Sequence, residues 1–252
     1  MKTVILFDMD GTLTPAREAM ENSMLRALKR IVEKDIEIGI VTGSDLNYLE
    51  QQCEILFEVN NFDPGSIHYL PCNGTKYYGW KNGKFFKKHE VDMIKKIGKQ
   101  QYDTLIRHCM LDQLNIMVRH PELNYTGNFF DYRGSVLNWC PIGRSASKEQ
   151  RHFFVDVDEK QNIRLKSLES MRQLFSKDKN LTETSKLHVA LGGETSFDIY
   201  PPGWDKTYAL QFFSKGYEVY FVGDKCEGNG NDRTIYEACG SKGYQTSGPD
   251  NT

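Results

Sequence analysis

The sequence lacks the features that would tie it to a membrane, a nucleic acid or an oxidising compartment. None of its apolar runs approaches the roughly 20 residues needed to cross a bilayer. In 252 residues, 32 Lys and Arg face 34 Asp and Glu, for a net charge of −2. Without an excess of either sign there is no electrostatic footprint for nucleic acid or an acidic membrane surface. The six cysteines (Cys53, Cys72, Cys109, Cys140, Cys226, Cys239) contain no C-x-x-C pair. That argues against a disulfide framework and against a zinc site. They read as free thiols of a reducing cytosol, so a cytoplasmic location is expected. The six histidines are scattered, and each reads as a structural or surface residue. Internal repeats are absent, and low complexity is confined to the polar tail from Thr246. The opening Met1–Phe7 reaches Asp8 too soon for a signal peptide.

What remains is a folded globular chain, 39% hydrophobic and 12% aromatic, long enough for one large or two moderate domains. Val4–Phe7 predicts a strand ending abruptly at Asp8, followed by a helix with Met20, Leu25, Leu28, Ile31 and Val32 on one face. Ile36–Val41 is a second strand, stopped by Thr42-Gly43-Ser44-Asp45, after which Leu46, Leu49, Cys53 and Leu56 return to helical spacing. Strands alternating with helices predict a doubly wound parallel sheet.

From Tyr77 the grammar changes. Asn82-Gly83 between aromatic-rich runs signals a hairpin. Asp103–Leu111 reads as helix, the alternation of Leu114, Ile116 and Val118 as a half-buried strand, and 127–133 and 136–140 as two more strands. Ser147 with Gln150 makes a capping box. Thr195–Tyr200 and Val219–Val222 then read as strands, with a helix beginning near Asp205. The expected organisation is an α/β core over 1–84 and 187–252, interrupted by an antiparallel α+β domain over 85–186.

The sharpest motif is Asp8-Met9-Asp10-Gly11-Thr12-Leu13-Thr14. Two carboxylates just past a buried strand land at the carboxyl edge of a parallel sheet, where such folds bind ligands. Placed that close they need a cation or a proton. Gly11 permits a sharp turn that could aim amides at a phosphate. An isolated D-x-D-G is also the pattern of a solvated turn. Thr42-Gly43 offers a hydroxyl and amides at a helix start, which is also what an ordinary cap looks like. Lys206 supplies a cation, and Gly223-Asp224 with Asn231-Asp232 supplies more acid after the last strand. Together these segments hold what phosphoryl transfer requires.

The ordered set D-x-D-G-T, Thr42, Lys206 and the late G-D…N-D resembles the haloacid dehalogenase superfamily across the whole α/β domain. Phe130-Asp131-Tyr132-Arg133, Pro141-Ile142-Gly143-Arg144-Ser145, Arg151, Ser196-Phe197-Asp198, Gly203-Trp204-Asp205-Lys206 and the Leu13-Thr14…Arg17 extension resemble the eukaryotic-type phosphomannomutases, a subgroup with a large α+β cap. That resemblance implies Asp8 as nucleophile and Asp10 as general acid and base. It implies Mg2+ on Asp8, Asp10, Asp224 and Asp232, and phosphate binding by Thr42, Gly43 and Lys206. Arg17, Arg133, Arg144 and Arg151 would bind the substrate's other phosphate, with Ser196 and Asp198 on the sugar side. The implied reaction interconverts mannose 6-phosphate and mannose 1-phosphate with a hexose 1,6-bisphosphate activator, in a homodimer joined through the caps. A sugar-phosphate phosphatase is the alternative; a non-catalytic phosphosugar-binding protein would not need Asp8, Asp10, Lys206 and Asp224 intact. The family's second cation site would correspond to Tyr236, Ala238 and Ser241, where Ala238 offers no side-chain ligand oxygen.

Overall fold

The computed structural model describes residues 1–58, 62–177 and 186–252, which form two compact units, 1–91 with 203–252, and 92–202. In the first unit the strands are β1 (Lys2–Phe7), β2 (Glu37–Val41), β3 (Ile67–Leu70), β4 (Lys76–Lys81) and β5 (Lys84–Glu90). In the second they are β6 (Phe130–Tyr132), β7 (Leu137–Trp139), β8 (His188–Gly192) and β9 (Ser196–Tyr200). The chain returns to the first unit for β10 (Tyr217–Gly223) and β11 (Gly243–Gln245). The helices are α1 (Asn22–Val32), α2 (Leu46–Gln52), α3 (Ile55–Glu58), α4 (Met93–Ile97), α5 (Lys99–Arg119), α6 (Lys148–Gln161), α7 (Ile163–Lys177) and α8 (Arg233–Cys239).

The first unit's sheet runs β11-β10-β1-β2-β3-β4-β5. Its strands are parallel from β11 to β3 and antiparallel through the β4–β5 hairpin. β1 sends Phe7 into a core with Leu25, Leu28, Ile38 and Ile40 on one face, and Val4 and Leu6 into a core with Phe213, Phe221 and Ile235 on the other. Burial on both faces is what a parallel, doubly wound sheet demands. The hairpin turn is as read: Asn82 and Gly83 both have positive φ, 55° and 74°, the left-handed pair that a tight two-residue turn needs.

The second unit packs helices beside the antiparallel sheet β6-β7-β9-β8. Ser147 and Gln150 form the expected capping box of α6.

Three expectations need correction. Leu114, Ile116 and Val118 lie in α5, not in a strand. The alternation was deceptive, because Leu105, Cys109, Gln113 and Ile116 form a buried stripe at helical spacing while Leu114 and Val118 are exposed. Residues 195–200 do not rejoin the parallel sheet: β9 pairs antiparallel with β7 and β8. Ser196 and Asp198 therefore belong to the second unit, and the chain re-enters the first at Gly203. The turn that follows Asp205 is a 3-10 helix over Lys206–Phe213.

On the outer side of α5, Met110, Leu111, Leu114, Met117 and Val118 are all exposed, at spacings that make one apolar stripe.

Candidate active site

Asp8 follows the last residue of β1 and its N–H is held by Val222 O of β10 at 2.9 Å. Its side chain is buried. Lys206, also buried, donates to Asp8 Oδ1 and to Asp232 Oδ1, the latter at 2.5 Å. Asp205 makes this possible by capping the turn that begins at Lys206, accepting from Thr207 N at 2.8 Å. Asp232 is fully buried, and its second oxygen accepts from Lys225 N at 3.1 Å. Thr12 Oγ1 approaches Asp8 Oδ2 at 3.5 Å.

Asp224 completes the group. One carboxylate oxygen from each of Asp8, Asp224 and Asp232 lies within 4.8 Å of the others, the one such set of three among the described residues. Asp224 Oδ1 is buried without a hydrogen-bond partner. Three carboxylates thus meet one buried ammonium, with Lys225 also pulling on Asp224. Burial, then the neighbouring Asp232 anion, push the Asp8 carboxyl up to about 8, against the pull of Lys206. Burial likewise raises Asp224. An orphaned buried oxygen beside an excess of negative charge is the chemistry of a hard-cation site, which a divalent ion would complete and whose pKa values it would bring down.

Gly11 serves this cluster differently from the expectation. Thr12, Leu13 and Thr14 N–H all donate to Met9 O, at 3.2, 2.9 and 3.0 Å, and Gly11 N donates to Thr14 O. Those amides are spent on the loop itself and are not aimed at an anion. What requires glycine is φ of 84° and the approach of Asp224, since a Cβ at position 11 would sit 2.5 Å from Asp224 Oδ2.

Asp10 has separate partners. Its Oδ1 accepts from Arg17 N and from Tyr48 OH, both at 3.0 Å. Arg17, expected only as a guanidinium, therefore contributes its backbone as well. Thr42 and Gly43 lie just beyond β2, the strand that flanks β1; Thr42 Oγ1 accepts from Ser44 N at 3.1 Å.

In the second unit, Arg133 Nε and an Arg144 terminal nitrogen both reach Asp131 Oδ2, at 3.0 and 3.5 Å. Arg144 also donates to Asn138 Oδ1 at 2.8 Å, and Asn138 Nδ2 to Asp198 Oδ1 at 2.8 Å. Sheet register dictates this line, because Asp131, Asn138 and Asp198 are successive cross-strand partners on β6, β7 and β9. Arg151 holds the loop carrying Arg144: it donates to Ala146 O, Arg144 O and Thr195 Oγ1. Ser196 opens β9, opposite Gly192.

Sequence reasoning missed Tyr48 and Asn138, and gave Thr12 no role of its own within the leading motif. Asn138 carried a signal, a polar residue amid the apolar Val136-Leu137-Asn138-Trp139-Cys140, at a position that proves buried. Tyr48 carried none, since an aromatic on an amphipathic helix is ordinary.

Comparison with known proteins places these residues in context. The family model described as eukaryotic phosphomannomutase matches residues 24–252. A phosphomannomutase of Schizosaccharomyces pombe is 34% identical over 100% of this chain and 91% of its own length. Among solved structures, an IMP-bound Plasmodium falciparum IMP-nucleotidase superposes with a TM-score of 0.61 at 14% identity, covering 99% of this chain and 65% of that one. A haloacid dehalogenase-like hydrolase of Bacteroides thetaiotaomicron gives 0.51 at 16% identity, over 95% and 86%. At such identities these two structures speak to the fold alone, an α/β parallel-sheet core with a separate antiparallel cap.

Proposed function

The chain belongs to the eukaryotic phosphomannomutase family, and from that premise and the site's geometry we propose that it interconverts mannose 6-phosphate and mannose 1-phosphate through an aspartyl-phosphate on Asp8 and a hexose 1,6-bisphosphate intermediate. The observation that carries the reading is the separation of the two motif carboxyls. Asp8 sits in the acidic, lysine-braced cluster, whereas Asp10 hangs from Tyr48 and the Arg17 amide. Two carboxyls in different surroundings take different roles.

Asp8 attacks the phosphorus, and Oδ2 is the oxygen available, since Oδ1 is held by Lys206. As the phosphorus–oxygen bond to the sugar breaks, Asp10 gives its proton to the departing oxygen; in the second half it takes a proton from the incoming hydroxyl. Lys206 and Thr42, with the Gly43 amide, hold phosphoryl oxygens. Mg2+ would be held by Asp8, the Asp10 backbone carbonyl and Asp224, with Asp232 behind them. When bound it screens the carboxylates from the incoming phosphate and polarises the phosphoryl group.

The substrate's second phosphate falls to Arg17, Arg133, Arg144 and Arg151, with Ser196 and Asp198 on the sugar. Two guanidinium groups already converge on one anionic oxygen, Asp131 Oδ2, and guanidinium groups also bind phosphate oxygens. Hexose 1,6-bisphosphate is the activator, because it phosphorylates Asp8 before turnover. The exposed stripe on α5 suits a homodimer joined through the second units. The cysteines are free thiols, as a cytoplasmic protein needs, and no described helix is long and apolar enough to cross a membrane.

The test is an assay on mannose 1-phosphate with and without a trace of hexose 1,6-bisphosphate. The mutase reading expects near-idleness without the bisphosphate, and with it isomerisation that far outruns phosphate release. Immediate phosphate release that needs no bisphosphate, with no 6-phosphate product, would make the protein a phosphatase.

A further inference from the structure

We infer that Tyr48 is a positioning residue for the general acid and base, fixing which oxygen of Asp10 moves the proton; this rests on the phosphotransferase reading above.

Two independent elements converge on one atom. Tyr48 OH and Arg17 N both donate to Asp10 Oδ1, each at 3.0 Å. A carboxylate oxygen that accepts two hydrogen bonds has both lone-pair directions occupied. The proton of the acid form therefore sits on Oδ2, and Oδ2 is the atom that delivers and recovers it. A carboxyl turns about its last torsion in a broad, nearly two-fold well. Without a tether, Oδ1 and Oδ2 exchange, and the proton faces the sugar oxygen only part of the time.

Both donors are rigidly mounted. Tyr48 lies in the first turn of α2, its own N–H capped by Asp45 Oδ1 at 2.9 Å. Its ring packs against the core cluster that contains Met9, Leu13 and Leu49. The motif loop and the tyrosine that holds its carboxyl thus share one packed core. Arg17 delivers its N–H from a left-handed backbone, φ of 63°. A non-glycine residue reaches that region at a cost, which the structure accepts where a backbone group must point in a set direction.

The consequence is specific to reactions that need a proton. In the phosphorylation step the Asp8–phosphorus bond forms, the phosphorus–oxygen bond to the sugar breaks with its electron pair left on oxygen, and that oxygen takes the Oδ2 proton. A p-nitrophenyl phosphate breaks the same bond, but its phenolate leaves without a proton. Tyr48 should matter for the first donor and not for the second.

The experiment compares wild type with Tyr48→Phe, which keeps the ring and removes the hydroxyl. Aspartyl-phosphate formation is followed from hexose 1,6-bisphosphate and from p-nitrophenyl phosphate, beside a melting curve. The expected result is a fall of about tenfold in the rate from the hexose donor, the size of one lost hydrogen bond. KM should be unchanged, as should the rate from the aryl donor and the melting temperature. In an Asp10→Ala background the same substitution should cost nothing further, because both act through one group. An equal loss on the two donors, no loss on either, or a full additional loss in the Asp10→Ala background would overturn the inference and leave the phosphotransferase reading standing. A wild-type protein inert towards both donors would overturn that reading and the inference with it.

Discussion

Replacing Lys206 by Met would leave Asp8 and Asp232 buried without the ammonium they share. Breaking a buried ion pair from one side costs about 3–5 kcal/mol, so the variant should melt well below wild type. Divalent cation should recover part of that loss, since Asp224 Oδ1 still lacks a partner. The wild-type protein should itself gain stability from Mg2+, about 2.7 kcal/mol at a hundredfold excess over the dissociation constant. Asp224→Asn should abolish most of that gain. Calorimetry on the three proteins, with and without Mg2+, checks the set; an Asp224→Asn protein that responds to Mg2+ like wild type would remove Asp224 from the site. At this scale much was legible in the sequence. Asp8, Asp224 and Asp232 were singled out as acids placed after strands and Lys206 as a cation at a helix start, and the fold brings them together. The reason for Gly11 was not legible, because the close approach of Asp224 comes from a residue far away in the chain.

The amino-terminal ends of the parallel strands make a pH prediction, since Glu37 opens β2. Burial opposes it, but hydrogen bonds from Lys2, His68 and Tyr217 hold Glu37 down at about 2, against an ordinary value of 4.5. A carboxyl depressed in the folded state contributes stability that is complete above its unfolded pKa and is lost as the pH falls through the folded one. Burial also lowers His68, which bridges Glu37 and Tyr77, so acid acts on both in the same direction. The melting temperature should drop between pH 4.5 and 2, and Glu37→Gln should flatten that drop while lowering stability at neutral pH. An unchanged slope would show that other groups govern acid unfolding. On α5, Leu111→Asp with Leu114→Asp should convert the proposed homodimer into a folded monomer, because both side chains are exposed in the single chain and only the stability lent by the partner is lost. Sedimentation that found the wild type already monomeric, or the variant still dimeric, would rule out this face. The same helix shows where element-scale reading fails. Every second residue from Leu114 to Val118 is apolar, and only the distant packing of Leu105, Cys109 and Gln113 reveals that the period is helical.

For the molecule as a whole, an inserted antiparallel domain was expected from 85, but the hairpin that changes the pattern after the third strand stays in the first sheet, and the second unit begins only at Asp92. The return was not legible. β9 looks like any strand entering a βα unit, and its antiparallel partners β7 and β8 are fixed by long-range pairing. That difference carries Ser196 and Asp198 into the sheet beside the loop that carries Arg144, where Asn138 ties Asp198 and Arg144 together. The proposed activity assigns the reacting phosphate to Lys206 and Thr42 of the first unit, and in the second unit it gives Arg133, Arg144 and Arg151 the role of binding the other phosphate. The most direct test is to phosphorylate the enzyme with hexose 1,6-bisphosphate labelled in its phosphates, quench in acid and map the label. The expected result is a labile acyl-phosphate on Asp8, absent from Asp8→Asn, that passes to the hydroxyl of added mannose phosphate faster than to water. Label on another residue, no covalent label at all, or transfer to water alone would contradict it.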